Sequence, residues 1–280
     1  MDWAKTKIVL IWIFVILNVF LTVNLLAYFE NGEAVRENTS NALKIMESRG
    51  YILNSKIPYS SASYSLSYEN AVLDREPVAA GLLGKGFDLP DEIENDDELL
   101  YDDKMLKFRN SGEFEYTDKS PDGYIDIQNI GKAEKYCRNF LSDLLLPVTD
   151  YTLDTYKINS DKTVTFTFYE KYKSFFIFSN KAEITLSSKG VIRLECSVIG
   201  KKSLENTDSS ISIVPAYQIL LRHFSKASNT VIQDIEIGFL CTYLNGENSY
   251  SSIPPVWRII IEGEEPRYFS AFDGHEIESV

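Results

Sequence analysis

One long apolar pattern dominates the first part of the chain. Between Ile8 and Phe29 lie 22 consecutive residues without a charged side chain. A helix of that length spans the roughly 30 Å hydrocarbon core of a bilayer. The run is longer than the apolar region of a cleavable signal, about 7–15 residues, and neither a small-residue cleavage site nor a lipid-accepting cysteine follows it. The pattern predicts a permanent transmembrane helix over residues 8–29.

Flanking charges predict the orientation of this span. Lys5 and Lys7 precede it, whereas Glu30 and Glu33 follow it. Basic flanks of a transmembrane helix remain on the cytoplasmic side. We therefore expect residues 1–7 in the cytoplasm, a single pass through the cell membrane, and an extracellular region from residue 30 onward.

Three polar residues interrupt the span: Asn18, Thr22 and Asn24. Asn18 lies next to the midpoint of an ideal helix through residues 8–29, where no water can satisfy its amide. Thr22 is about 40° from Asn18 around the helix, whereas Asn24 is near enough to the end to reach the interface. Two interpretations remain open for Asn18. It is a tolerated residue bonded to its own backbone, or it contacts a partner helix with about 0.6–2 kcal/mol.

Helical periodicity recurs in three later segments, residues 33–49, 132–146 and 213–227. Gly50 stands where a cap would end the first of them. In the second, Tyr136, Phe140 and Leu144 form the expected apolar stripe. The first is expected to be a stalk helix that leads into the fold, and the other two are each expected to pack on one face of a sheet.

Alternation of apolar and polar residues predicts strands around these helices. The segments are YSSASYSLSYE, TVTFTFYEKY, SFFIFS, AEITLSSKGVIRLECSV, IQDIEIGFLCTYL, VWRIIIEG and RYFSAFDGHEIESV. Two of them contain a hairpin turn with glycine, at Ser188-Lys189-Gly190 and at Phe272-Asp273-Gly274.

The order of helix, strands and closing hairpin occurs twice, in residues 131–205 and 206–280. We interpret these as tandem modules, each an antiparallel sheet with a helix on one face. Residues 30–130 would supply a helix, strands and an acidic insert. The predicted fold class is α+β, with a single N-terminal transmembrane helix followed by an extracytoplasmic region of helix-on-sheet modules.

The net charge of the chain restricts the kinds of partner that it can bind. The formal net charge is -13, which disfavours nucleic acid and anionic surfaces. The acidic insert LPDEIENDDELLYDD, Leu89 to Asp103, is expected to be a solvated loop or a short exposed helix. Calcium binding is the alternative, but the insert lacks the alternate spacing and central glycine of an EF-hand loop.

No residues stand in a catalytic or metal-binding pattern. Cys137, Cys196 and Cys241 have no paired spacing, so we expect buried free thiols, with one disulfide as the alternative. His223 and His275 lie in different predicted elements and are expected to be structural or surface residues. No nucleophile elbow, zinc motif or phosphate loop is present. The sequence predicts no enzyme, no cofactor and no metal site.

Aromatic residues are concentrated in TFTFYEKYKSFFIFS. Their strand-like alternation favours core packing, and an exposed groove for a peptide or glycan is the alternative. The rings concerned are Phe166, Phe168, Tyr172, Phe175, Phe176 and Phe178.

The first 21 residues, MDWAKTKIVLIWIFVILNVFL, resemble a known protein family. Met-Asp-Trp, basic residues and one apolar span containing Leu17-Asn18 resemble the start of the YycI family. These are membrane-anchored regulators associated with the WalK/WalR (YycG/YycF) two-component system of low-GC Gram-positive bacteria. The stalk helix and the two modules resemble the extracytoplasmic parts of YycI and of its relative YycH.

The resemblance implies regulation without catalysis. It implies association with the sensor histidine kinase and with a YycH-like protein through membrane helices, and thereby modulation of the signalling that controls cell-wall metabolism. The residues expected to carry this role are Asn18, Thr22, Leu17 and Leu21 as partner contacts, with Lys5 and Lys7 setting orientation.

Two other functions remain open from the sequence. One is a membrane-tethered extracytoplasmic binding module for a peptide, protease or wall polymer, since small helix-on-sheet modules resemble PepSY-type domains. The other is an extracytoplasmic hydrolase, which would need carboxylates or histidines that converge in a deep pocket. Neither the sign of the regulation nor an extracellular ligand follows from the residues.

Overall fold

The protein was analysed as a computed structural model. It describes residues 3–58, 64–71, 73–84, 86–88, 90, 92–109, 112–144, 146, 150–206, 213–227, 229–241 and 249–277, and within these ranges the side chains of 4–6, 24–34, 70 and 249–252 lie outside the description.

Four helices are found among these residues: α1 (Trp3–Ser48), α2 (Arg75–Leu83), α3 (Ile130–Asp143) and α4 (Ala216–His223). The helix predicted for residues 33–49 is thus the last third of α1, which continues without interruption from the apolar span. The helices predicted for 132–146 and 213–227 are confirmed as α3, which begins two residues earlier and ends three residues earlier, and as α4, which is shorter at both ends. Asn129 caps α3 because its side chain accepts a hydrogen bond from the Lys132 backbone N–H at 3.2 Å.

The end of α1 is fixed by the predicted glycine cap. Gly50 has φ +88°, which a residue without a Cβ adopts at little cost. The backbone N–H of Gly50 donates to the Glu47 carbonyl at 2.9 Å, and that of Tyr51 donates to the Met46 carbonyl at 3.0 Å. This pair of bonds is a Schellman motif, and it satisfies carbonyl groups that the helix end leaves open.

Every segment with the alternating pattern contains a strand, but the structure also has strands where none was predicted, including residues 104–108, 113–118, 151–158 and 199–206. The strand bounds are β1 (Ile52–Leu53), β2 (Tyr64–Asn70), β3 (Glu98–Tyr101), β4 (Lys104–Phe108), β5 (Glu113–Asp118), β6 (Tyr151–Ile158), β7 (Val164–Tyr172), β8 (Phe175–Ser187), β9 (Gly190–Ser197), β10 (Ile199–Asn206), β11 (Val231–Phe239), β12 (Ser249–Ile253), β13 (Val256–Ile261), β14 (Arg267–Ser270) and β15 (Glu276–Ile277). Both predicted hairpins are confirmed. Ser187 pairs with Gly190 in the first, and the Gly274 N–H donates to the Ser270 carbonyl at 2.9 Å in the second.

Part of the acidic insert is a strand rather than a loop or a helix. Residues 98–101 form β3, which pairs with β4 so that Leu99 lies opposite Leu106. Leu99 and Tyr101 pack against the core, while Glu98 and Leu100 face solvent. Exposed and half-buried side chains do alternate here, but over only four residues. The many acidic residues around them favoured a loop or an exposed helix in the sequence pattern.

The strand order corrects the expected sheet arrangement. A twelve-stranded sheet contains the path β15-β14-β13-β11-β8-β9-β5-β4-β3, and a three-stranded sheet has the order β10-β2-β12. Strands from both predicted modules therefore run in one sheet. The sheet is mixed, because β11 pairs in parallel with β8 and β1 pairs in parallel with β11. Alternation identifies strands, but it does not give their partners.

At the β8–β11 contact, Gly238 lies opposite Phe176. A Cβ at Gly238 would collide with the Phe176 carbonyl oxygen and with the Phe178 ring. The parallel pairing therefore depends on a residue without a side chain.

The chain forms two compact units. Residues 60–213, 236–258 and 267–280 form unit 2, and residues 1–59, 214–235 and 259–266 form unit 1. In unit 2, strands β6, β7, β8, β9, β5, β4 and β3 pair antiparallel in that order. Helices α2 and α3 contribute to the same core as one face of these strands.

The aromatic strands of unit 2 are core strands, as expected. Phe166 and Phe168 are fully buried, and Phe178 is 4% exposed. A fully buried phenylalanine contributes about 1.5–3 kcal/mol to folding. Tyr172, Phe175 and Phe176 are half-buried rather than exposed, so these rings do not form the alternative solvent-facing groove.

The stripe predicted on α3 is shifted by one residue. The buried positions of the helix are Ala133, Cys137 and Leu141. Tyr136 and Phe140 lie beside that face, with ring centroids 6.4 Å apart and planes nearly parallel. Leu144, the third residue of the predicted stripe, is buried as expected, whereas aliphatic and thiol side chains rather than the two aromatic rings are the buried ones along the helix.

In unit 1, the last turns of α1 pack beside α4. Met46 is fully buried, and the Tyr51 and Phe224 rings meet edge-on with centroids 5.7 Å apart. The Arg49 guanidinium donates to the Leu221 and Phe224 carbonyls at 3.3 Å each. These contacts satisfy carbonyls at the C-terminal end of α4.

Candidate functional site

The predicted contact residues lie together on α1. Side chains at 17, 18, 21 and 22 occupy one sector of about 140° around an ideal helix. Leu17 and Leu21 are 50% and 55% exposed, and Asn18 and Thr22 are exposed as well. The helix therefore presents two leucines beside two polar residues on one face.

The polar groups of that face are bonded within the helix. The Asn18 Nδ2 donates to the Phe14 carbonyl at 2.7 Å. The Thr22 Oγ1 donates to the Asn18 carbonyl, four residues back, at 2.8 Å. Such bonds reduce the cost of placing these side chains in an apolar medium. Within the described part of the chain, the Asn18 Oδ1 accepts no hydrogen bond.

The rest of this part of α1 is uniformly apolar and uncovered. Large apolar side chains between Ile8 and Val23 are 42–66% exposed. A stripe that faced its own core would instead be buried on one side. This segment is therefore not covered by the part of the chain that the structure describes.

The flanks of the span are described only in part. The Lys7 ammonium lies 5.2 Å from the centroid of the Trp3 ring, a cation–π distance. Lys5, Asn24 and the predicted residues 24–29 of the span lie outside the described side chains. Over the described residues, no helix meets the length and hydropathy required to cross a membrane.

The three cysteines are buried and free, which confirms the first interpretation of them. Burial raises the pKa of the Cys137, Cys196 and Cys241 thiols to about 12. A thiol that stays protonated at neutral pH is a poor nucleophile and a poor metal ligand. These residues therefore act as small core side chains.

The histidines occupy ordinary positions. His223 lies in the last turn of α4, and the His275 backbone N–H is held by Asp273 at 3.1 Å in the turn before β15. Across the described ranges, His, Cys, Asp and Glu side chains form no group able to hold a metal ion.

One buried charge cluster in unit 2 was missed by the sequence analysis. Arg258 of β13 is fully buried and donates to Asp154 of β6 and to Glu236 of β11. Its guanidinium carbon lies 4.7 Å from the centroid of the Phe178 ring and 5.0 Å from that of the Tyr169 ring. The signal was the single cation in the apolar run VWRIII.

The electrostatics of the cluster keep Arg258 charged. Burial by itself lowers the pKa of the guanidinium, but the hydrogen bonds and negative charges of Asp154 and Glu236 outweigh it and raise the pKa. Burial also raises the pKa of the neighbouring Tyr169 hydroxyl. The arrangement therefore holds three strands together.

A second buried cluster is also fully bonded. Glu170 has no exposed surface, and the Lys202 ammonium approaches its Oε2 at 2.9 Å. Asn180 donates to the same carboxylate and accepts from the Ile199 backbone N–H. This is a structural interlock between β7, β8 and β10, because every group faces a partner inside the core.

The fold and these sites together define a mixed α+β protein with a large mixed sheet and buried structural charge clusters. Comparison with known proteins then gives the family. The model of the YycI family, described as YycI protein, matches residues 30–272. The chain belongs to the YycI family. That match covers the region after the span, whereas the resemblance in the sequence rested on the first 21 residues.

Two solved structures are similar at low identity. One is an uncharacterized protein from Eubacterium rectale ATCC 33656, with 11% identity, a TM-score of 0.46, and coverage of 82% of this chain and 91% of that chain. The other is YycH from Bacillus subtilis, with 10% identity, a TM-score of 0.46, and coverage of 74% of this chain and 52% of that chain. A search of curated proteins finds no match.

Family membership gives the coarse function. YycI proteins are membrane-associated regulators rather than enzymes. The charge clusters and thiols described above act within the core. The exposed face of α1, by contrast, is not covered by the described part of the chain.

Proposed function

We propose that this protein is a single-pass membrane regulator of a WalK-like sensor histidine kinase. It associates with the kinase, and with a YycH-like protein, through membrane helices. Residues 1–7 lie in the cytoplasm, residues 8–29 cross the cell membrane, and the remainder is extracellular. Its output is the two-component signalling that controls cell-wall metabolism.

The observation that carries this proposal is the uncharged, uncovered apolar segment of α1. Its large side chains from Ile8 to Val23 are all substantially exposed. Burying apolar surface contributes about 25 cal/mol per Å², so a segment of this kind is stable only in lipid or against another protein. Membership of a membrane-associated family favours lipid.

The polar residues of the segment fit this environment. Asn18 and Thr22 each donate to a carbonyl of α1 itself, so entry into lipid does not leave these donors unpaired. The Asn18 Oδ1 and the second Nδ2 hydrogen remain for a neighbouring helix. One such contact contributes about 0.6–2 kcal/mol, so Leu17 and Leu21 must supply packing beside it.

Regulation needs only a modest coupling energy. A difference of about 1–3 kcal/mol between two kinase states changes their ratio about 5- to 150-fold. Several weak contacts along one helix face reach that range. A direct contact between membrane helices therefore suffices, and no catalytic step is required.

The test replaces residues 8–29 with an unrelated Leu/Ala span while Lys5, Lys7 and the extracellular region are kept. The proposal expects normal membrane insertion, loss of co-purification with the kinase, and altered expression of wall-metabolism genes. A replacement that inserts normally and leaves both readouts unchanged would contradict it. Asn18→Leu, compared with Ile16→Leu on the opposite face, then separates the amide contact from apolar packing.

A further inference from the structure

We propose that unit 2 carries a preformed docking surface for an extended peptide segment with a lysine or arginine side chain. The surface is a cavity of about 400 Å³, at the end of the sheet where three turns meet α3. It goes beyond the membrane role above, since it involves none of the residues of the span.

Three turns and one helix form the walls. They are the turn between β3 and β4, the segment that follows β5, the β8–β9 hairpin, and the exposed face of α3. Turns that come from distant parts of the chain meet here because β4, β5, β9 and β8 are neighbours in the sheet. The residues that line the cavity from these turns are Asp102, Asp103, Lys104, Asp118, Ser120, Pro121, Asp122, Gly123, Lys189, Gly190 and Val191.

Backbone contacts hold these walls in place. The Lys119 N–H donates to the Asp103 carbonyl at 3.0 Å, and the Ile125 N–H donates to the Ser188 carbonyl at 2.9 Å. A Cβ at Gly123 would lie 2.8 Å from the Lys189 carbonyl oxygen. The loop that contains Gly123 therefore contacts the β8–β9 hairpin at a position where no side chain fits. The walls are held in place in this way, so the cavity exists before any partner binds.

Aromatic rings supply the apolar part of the surface. Tyr136 and Phe140 of α3 line the cavity as a stacked pair. Tyr124, directly after the cavity-lining loop, is 90% exposed. An isolated ring in solvent contributes nothing to the core, whereas exposed tyrosines beside a cavity are frequent anchors of protein interfaces.

The exposed carboxylates around the cavity favour a positively charged ligand. Asp102, Asp103 and Asp122 are exposed around the cavity, and within the described residues their carboxylates form no ion pair or hydrogen bond. Asp118, by contrast, is buried and occupied, since it accepts from the Ser120 N–H at 2.9 Å. Lys104 and Lys189 offset part of the negative charge, but the chain as a whole carries -13.

Carboxylates beside aromatic faces are the chemistry that recognises a cationic side chain. An aliphatic stem lies against the rings while the ammonium or guanidinium reaches the carboxylates. The cavity accommodates one such side chain, and Tyr124 then contacts the neighbouring residue of the peptide. A metal ion is not favoured, because the described acidic side chains do not converge into a ligand group.

The test uses the full chain in nanodiscs of phosphatidylcholine, a lipid that carries no net charge. The probe is a fluorescently labelled, blocked peptide, Gly-Ser-Arg-Tyr-Lys-Ser-Gly, compared with the same peptide in which Arg and Lys are replaced by Gln. Binding is measured by anisotropy against empty nanodiscs. We expect the basic peptide to bind at least about tenfold more tightly than the neutral one.

Variants connect this binding to the cavity. Asp102→Asn combined with Asp122→Asn should weaken it at least about tenfold, and Tyr124→Ala about fivefold or more. The matched control is Glu264→Gln with Glu265→Gln, which removes two exposed charges in unit 1 and should change the affinity less than about threefold. Asn at position 102 keeps the turn, since Asp102 has φ +51° and asparagine tolerates that conformation.

Three outcomes would overturn the proposal. The first is that the wild-type chain binds the basic and the neutral peptide equally well. The second is that the Glu264→Gln and Glu265→Gln double variant weakens binding as much as the Asp102→Asn and Asp122→Asn double variant. The third is full competition by equimolar N-acetyl-lysine methylamide, which would assign a small-amine site instead of a peptide surface. None of these results bears on the membrane span, because no kinase is present.

Discussion

Arg258 and Asp154 are joined by a hydrogen-bonded ion pair, with 3.1 Å between Nη1 and Oδ2, although 104 positions separate them in the sequence. Glu236 accepts from the same guanidinium, at 3.0 Å from Nε. The pair therefore connects β6, β13 and β11 inside unit 2. Removal of the cation would leave two carboxylates, 10% and 20% exposed, without their partner.

Arg258→Met should accordingly destabilise the protein by about 3–5 kcal/mol, because an unpaired buried charge costs far more than a lost surface pair. Denaturant unfolding of the full chain in detergent, followed by circular dichroism, measures this change. The control is Arg193→Met, whose side chain is 52% exposed in its pair with Glu115 and should cost about 0–1 kcal/mol.

A second substitution checks the cause. Asp154→Asn in the Arg258→Met background should return part of the lost stability, since one fewer carboxylate is then buried without a cation. Equal losses of unfolding free energy for the Arg258 and Arg193 variants would contradict the stabilising role of the Arg258 cluster.

The thiols give a prediction about chemical reactivity. Their pKa is raised by burial to about 12 from a model-compound value of 9.0. At pH 8 the thiolate population is then about 10³-fold lower than that of an exposed cysteine. Iodoacetamide should label the native protein very slowly and label all three residues after unfolding without reductant. Rapid native labelling, or a missing thiol after unfolding, would contradict the buried free state.

The same shift sets the sign of a pH effect. The folded thiols resist ionisation, whereas unfolded thiols ionise near pH 9, so their contribution to stability is complete below about pH 9 and is lost as pH rises towards 12. A free energy of unfolding that rose over this range because of the cysteines would be inconsistent with their burial.

Gly238 tests the parallel contact between β8 and β11. Gly238→Ala should cost about 1–3 kcal/mol, because the new methyl group collides with the backbone of Phe176. Gly81→Ala on α2 is the matched control. Its Cβ would lie 3.4 Å from Leu144 Cδ2, an ordinary contact, and alanine favours a helix by about 1 kcal/mol over glycine. Comparable melting temperatures for the two variants would contradict the close approach.

The sequence predicted local structure better than arrangement. Alternation located β7, β8 and β9, and glycines marked the cap at Gly50 and both hairpin turns, since these features depend on neighbouring residues. Strand partners depend on contacts between distant residues, so neither the mixed sheet nor the β8–β11 pair could be read from periodicity. The same limit applied to sites. Asp154, Glu236 and Arg258 meet only in the fold, and the cavity is formed by turns that are distant from one another in the sequence.

The predicted face of α1 differs in kind from those sites. Residues 17, 18, 21 and 22 share one face by helix geometry alone, so the sequence could define it. Whether that face meets a partner depends on a second molecule. The contact remains a proposal that requires a direct measurement.

Site-specific photo-cross-linking in cells is that measurement. A benzoylphenylalanine residue is placed at Leu17 or Leu21, and in matched strains at Ile16 or Val23 on the opposite face; all four positions are 50–64% exposed. The account predicts a cross-link to the WalK-like kinase, detected through a tag on the kinase, that is strong from positions 17 and 21 and weak from 16 and 23. Equal cross-linking from both faces, or none to the kinase from any position, would contradict the proposal that this face of α1 carries the regulatory contact.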